Sequence, residues 1–139
     1  MRKTGLLILC LVAALGASRA VAGGLPPDAD IARKLLGSWT VPPQSSDYVA
    51  GVGYPDETFD SAGTYSFRVY QDQSCRVQVS EAHARWTIEH GVLNSVYEDG
   101  SADQDEIVSI IGDTLTLHSK SDGITYTRVR IAACGHAAN

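Results

Sequence analysis

From Glu57 to Ile131 apolar and polar residues alternate almost one for one, broken at short intervals by turn residues. Tyr65, Phe67 and Val69 alternate with Ser66, Arg68 and Tyr70, the period of two expected of a strand with one dry and one wet face. Cys75, Val77 and Val79 continue the pattern, followed by Trp86 and Ile88 opposite Arg85, Thr87 and Glu89. Val92 to Glu98, then Ile107, Ser109 and Ile111, then Leu115 and Leu117, then Ile124, Tyr126 and Arg128 complete it. Between them lie Asp60-Ser61-Ala62-Gly63, His90-Gly91, Gly112-Asp113 and Ser121-Asp122-Gly123, each a turn signal. Turns at roughly eight- to twelve-residue spacing with no helical period between them predict an all-β chain, an antiparallel up-and-down meander closing into a barrel of about eight or nine strands. The parity puts Trp39, Tyr65, Phe67, Val69, Val77, Val79, Trp86, Ile88, Leu93, Tyr97, Leu115, Leu117, Tyr126 and Arg128 inside.

Upstream the period changes. Ile31, Leu35 and Leu36 recur at helical spacing, Asp28 or Asp30 stands where a cap belongs, and Gly37 ends the run, which predicts a short helix plugging one end. Leu36 to Thr40 opens the first strand, and Pro42-Pro43 ends it because proline donates nothing to a ladder. Gln44 to Pro55 is then a long irregular stretch from which Tyr48, Val49, Val52 and Tyr54 are placed to face a ligand.

Gly37-Ser38-Trp39 after a helical turn, the ladder of hairpins and Tyr126-Thr127-Arg128 in the last strand together resemble the lipocalin-like (calycin) β-barrel family, here a small exported member of bacterial type. The resemblance spans Asp30 to Ile131. It implies that the Gln44 to Pro55 loop is a lid over the open end, and that Trp39 and Arg128 form a structural anchor with the guanidinium stacked on the indole. Arg130 competes for that role. The resemblance also implies carriage of a small hydrophobic molecule in the barrel.

Residues 1–22 read as an export signal: Arg2 and Lys3, the apolar run Leu6 to Leu15, and Ala20-Val21-Ala22 before Gly23. The expected organisation is a cleaved signal (1–22), a flexible lead (23–29), the barrel domain (30–134) and a tail (135–139). The apolar run falls short of the roughly 20 residues that span a bilayer, so no stable membrane anchor is expected. Cleavage raises the acidity, from a formal net charge of −5 to −8, because Arg2, Lys3 and Arg19 leave with the signal. Such a surface repels phosphates and argues against a nucleic-acid partner. Cys75 and Cys134 survive cleavage, and an even cysteine count in a small exported domain predicts a disulfide. The compartment is then the periplasm or the exterior, and the mature chain a monomer.

Motifs of catalysis are missing from the pattern. No Gly-x-Ser-x-Gly elbow, His-Glu-x-x-His pair or phosphate cradle occurs, so no catalytic residue and no cofactor is assigned. Glu98, Asp99, Asp103, Asp105 and Glu106 lack the ordered spacing of a calcium loop and read as a solvated hairpin, and His83, His90, His118 and His136 form no metal pair. The candidate ligand lining is Tyr65, Phe67, Val69, Val77, Trp86, Ile88, Tyr97, Leu115, Leu117, Tyr126 and Arg128, with Arg128 or a tyrosine hydroxyl fixing orientation and a ligand carboxylate as one partner for Arg128. An eight-stranded barrel is wide enough either to be filled by such side chains or to hold one small ligand, and alternation alone does not separate the two. If it is filled, the alternative is an envelope interaction protein, protease-inhibitor-like, working through its loops on a protein partner. Amino-terminal sequencing of the exported protein should find Gly23 first; a chain still beginning at Met1 would remove the signal.

Overall fold

The computed structural model describes residues 26–134, so the export signal, the first residues of the lead and the 135–139 tail lie outside the described residues. One helix, α1 (Asp28–Leu35), precedes eight strands: β1 (Gly37–Thr40), β2 (Tyr54–Phe59), β3 (Thr64–Tyr70), β4 (Gln78–Glu89), β5 (Val92–Tyr97), β6 (Ala102–Ile111), β7 (Thr114–Ser119) and β8 (Thr125–Ile131). Each strand pairs antiparallel with its chain neighbour, and β8 pairs back onto β1, closing the meander into a barrel. Closure leaves no unpaired sheet edge.

One end is sealed. Ile31 and Leu35, one helical turn apart, are buried by α1 against a core of Trp39, Phe59, Trp86, Leu93, Ile107 and Leu115. The Trp39 indole N–H donates to the Leu35 carbonyl at 2.8 Å, so the largest side chain in this core also satisfies a helix-end acceptor. Above the indole lies Arg130, its guanidinium carbon 4.1 Å from the ring, donating to the Leu36 and Lys34 carbonyls at 2.7 and 2.6 Å. The stacking arginine is therefore Arg130 and not Arg128. Trp39 is directly opposite Arg130 in the β1–β8 register, whereas Arg128 is opposite Leu115 on β7. Gly37 is required here: its φ is +112°, and a Cβ would come within 2.8 Å of Arg130 Nη1.

The helix starts at Asp28, two residues before the expected domain boundary, and neither Asp28 nor Asp30 caps it with a side chain. Asp28 instead accepts from the backbone N–H groups of His90 and Gly91 at 2.7 and 2.8 Å, tying α1 to the tight β4–β5 turn. Those bonds, Gly91's first, hold its carboxyl below the ordinary value of 3.8.

Two expected inward residues face out. Val77 belongs to the turn before β4, which the Gln71 N–H closes onto the Val77 carbonyl, and it is 52 % exposed. Val79 is 58 % exposed because β4 runs unbroken from Gln78 to Glu89 and keeps one parity. With Trp86 inside, Val79 must be outside. A bulge between Val69 and Tyr70 in the β3–β4 pairing leaves Val79 without an opposite residue. A second bulge, between Ile107 and Ser109, turns Ile107 and Ile110 inward and leaves Ile111 exposed.

Cys75 and Cys134 form the disulfide. The Cys134 N–H donates to Asp56 Oδ2 at 2.8 Å, so the chain after β8 lies against β2 and buries a carboxylate on the barrel's outer face. Cross-linking residues 59 apart in sequence stabilises by about 4 kcal/mol on the chain-entropy model.

The Asp28 tie carries a pH signature. A carboxyl lowered on folding contributes stability present above its unfolded value and lost as pH falls through the folded one. Asp28→Ala should lower the melting temperature at pH 7, and the gap to the native protein should close as pH falls below 3.8. A gap independent of pH would show that the carboxylate is not the tie.

Candidate functional site: an acidic cup in the open half of the barrel

The barrel is half filled and half hollow. Trp86, Ile88 and Leu115 pack at the helix end; Phe59 meets Trp86 edge-on at 5.6 Å and Tyr65 at 4.8 Å, and the Trp86 N–H donates to the Thr64 carbonyl. Beyond that floor a cavity of about 300 Å³ opens, reached by Tyr65, Tyr97, Leu117, Tyr126 and Arg128 of the expected lining. Phe67 and Val69 line a second, smaller space of about 190 Å³ with Val41, Tyr48, Val49, Val52 and Pro55. Val77 lines neither.

Asp47, Glu57 and Arg128 border both spaces and so form the partition between them. Arg128 Nε donates to Glu57 Oε1 at 2.8 Å, its Nη2 lies 2.7 Å from Asp47 Oδ2, and its guanidinium sits 4.4 Å from the centre of the Tyr126 ring. Burial alone would lower the guanidinium's pKa; Glu57 and Asp47 outweigh it and hold Arg128 above its usual range. Glu57 is buried, and burial raises its carboxyl despite the arginine beside it. For Asp47 burial acts upward, but hydrogen bonds from Arg128 and Ser45 prevail and keep it below the ordinary value. Two carboxylates already share this guanidinium, so a ligand carboxylate finds no free charge there.

The same network pins the long loop between β1 and β2. Ser45 Oγ accepts from the Thr127 N–H at 2.9 Å, Ser46 Oγ donates to the Thr125 carbonyl, and Asp47 reaches Arg128, three consecutive residues held to β8. Gly53, with φ of +107°, lets the loop pass β3, where a Cβ would lie 2.4 Å from the Tyr70 carbonyl oxygen. Tyr48, Val49 and Val52 turn one side to the smaller space and leave the other exposed, while Tyr54 heads β2 on the outward parity.

The other wall of the cup is acidic. Asp103 and Asp105 lie in β6, on the face that also carries Ile107, and both line the cavity with Asp122 from the β7–β8 turn. The solvated reading holds for Glu98 and Asp99 in the turn before and for the outward, exposed Glu106; Asp103 is an exposed strand residue on the rim of the cavity, and Asp105 below it is half-buried. Burial, then Asp103, pushes the Tyr97 phenol up to about 12. Burial also raises Tyr126, with Asp105 adding to it through charge and a hydrogen bond. Asp105 itself is raised by burial, against the hydrogen bond from Tyr126. Tyr65 is 8 % exposed and its hydroxyl has no hydrogen-bond partner among the described residues. No fully buried side-chain oxygen there lacks a partner, so this hydroxyl opens on the cavity. Among the described residues no three His, Cys, Asp or Glu side chains group to hold a metal ion.

Asp47, Glu57, Asp103, Asp105 and Asp122 are site residues that sequence reasoning missed. The three on strands had a signal: Phe59 two residues after Glu57, and Ile107 four and two residues after Asp103 and Asp105, mark the inward parity.

With this geometry in hand, the decisive comparison is a match of residues 35–117 to the family model of the lipocalin-like domain. The chain belongs to the lipocalin-like domain family. Searches of curated proteins and of solved structures find no match. The lipocalin-like match takes in the helix end, the first strands and the acidic wall, and stops before β8, so Arg128 and Arg130 are placed by the structure alone.

The partition generates a cycle. Removing one member of a buried charge pair leaves the other uncompensated, typically at about 3–5 kcal/mol, whereas replacing both by apolar or neutral groups costs far less. Denaturant unfolding of Arg128→Met should show a loss of that size, and Glu57→Gln in the same chain should restore most of it. Additive losses would mean that Glu57 and Arg128 are not coupled.

Proposed function

We propose that this lipocalin-like protein is exported and binds a small molecule in the open half of its barrel. The cavity of about 300 Å³, with an unpartnered tyrosine hydroxyl on its wall, carries the reading. Its volume is at the small end of ligand pockets, which span about 300–1,000 Å³. Phe59, Leu93, Leu117 and Ile124 supply the apolar part of the lining, on which a hydrophobic portion of a ligand gains about 25 cal/mol per Å² buried. The Cys75–Cys134 disulfide suits an oxidising compartment, periplasm or exterior, and no helix among the described residues is long and apolar enough to cross a membrane.

The interaction-protein reading draws on Tyr48, Val49 and Val52, which are exposed on the pinned loop. It fits a filled barrel better than one with a cup in its open half.

Native mass spectrometry of the protein purified gently from the exported fraction of its source separates the two. Carriage predicts a reproducible extra mass of small-molecule size that disappears on denaturation. Ser95→Phe, which places a ring in the cavity from β5, should abolish that mass while leaving the melting temperature within a few degrees. A bare protein, indifferent to Ser95→Phe, would end the carrier reading and turn attention to the loop.

A further inference from the structure

We infer that the ligand is a small organic cation, an amine bearing an apolar group, with its charge at Asp103 and Asp105 and its apolar part against Phe59, Leu93 and Leu117. This rests on the cup being a ligand site and specifies what it takes.

Charge is the first observation. The cavity lining holds Asp47, Glu57, Asp103, Asp105 and Asp122 against the lone cation Arg128, and Arg128 is engaged by Glu57 and Asp47. Asp103 and Asp105 make no ion pair with any described residue. An anionic ligand would meet two uncompensated carboxylates, and a neutral apolar one would strip them of water with nothing in return. An ammonium both compensates them and accounts for their place on an inward strand face.

Independent of the carboxylates, the Tyr65 side chain is nine-tenths buried, and its hydroxyl is unpartnered by protein and open on the same space. Such a hydroxyl is bonded by whatever occupies the cavity, water or ligand. Its oxygen can accept from an ammonium N–H or its hydrogen can meet a second polar group on the ligand. Tyr97 and Tyr126 line the same space as Asp103 and Asp105. The acidic side of the cavity thus also presents phenol rings to a ligand. No described trio of ligating side chains converges, which favours a singly charged organic cation over a divalent metal.

Three probes of nearly one shape test this by titration calorimetry on the full mature protein after unfolding and refolding to remove any bound ligand: 2-phenylethylamine, 2-phenylethanol and 3-phenylpropanoate. The amine should bind at least about tenfold more tightly than the alcohol, and the carboxylate should not bind measurably. In Asp103→Asn/Asp105→Asn the amine should fall to the alcohol's affinity, while alcohol binding and melting temperature hold, which separates lost charge from lost fold. Tyr65→Phe should weaken the amine several-fold. The inference is overturned if alcohol or carboxylate binds as well as the amine, or if the amine's advantage survives the double variant. Binding by the alcohol alone would retain the carrier reading and discard the cation. Silence from all three probes overturns the cation, and the carrier reading then stands or falls on the mass found in source-purified protein.

Discussion

The closed end of this barrel depends on one stack. Trp39 lies between the last turn of α1 and Arg130, and the two side chains together satisfy the carbonyls of Lys34, Leu35 and Leu36. A helix of eight residues has little stability of its own, and here its exposed C-terminal acceptors are met by an indole N–H and a guanidinium from opposite ends of the sheet. The same contact fastens β1 to β8, where the barrel closes. The partly exposed cation over the indole adds about 1 kcal/mol, and its larger contribution is geometric, since it fixes the stagger at which first and last strands meet.

That closure lets the other end remain open. With Ile31, Leu35, Trp39, Trp86 and Leu115 filling the floor, the barrel has its core without needing side chains at the mouth. The mouth can therefore carry groups a core would reject, namely Glu57, Asp103, Asp105, three tyrosines and Arg128. The Arg128–Glu57–Asp47 partition is worth little as net stability, since the buried Glu57 and Arg128 repay each other's desolvation only in part and Asp47 is partly exposed to solvent. Its consequence is positional: it holds the loop between β1 and β2 to β8 and takes Arg128 out of contention as an anion receptor.

Legibility in the sequence varied with the kind of information each residue carried. Alternation placed the strands, and Tyr65, Tyr97, Leu117, Tyr126 and Arg128 reached the cavity as their parity required. It failed at Val77 and Val79, where a turn ending beside a disulfide and a bulge hid the single parity of β4. Glu57, Asp103 and Asp105 were hidden for a different reason. Charged residues are presumed wet, so their inward parity is overridden by their polarity unless a partner such as Arg128, far away in sequence, is known to be present.

The sequence by itself determined the local matters: a short helix from Ile31 and Leu35, strands from period two, and turns from glycine and aspartate. Period two also set Arg128 and Arg130 on one face of the last strand, but it says nothing of depth. Depth follows from register and stagger around the closed sheet, which put Arg130 beside Trp39 and Arg128 beside Leu115 at the level of Glu57. Tertiary structure alone decided which arginine seals the barrel, which one divides it, and that the space left over is lined with carboxylates. Each of those outcomes depends on residues some 70 to 90 positions apart meeting across a closed sheet, and no local pattern encodes such a meeting.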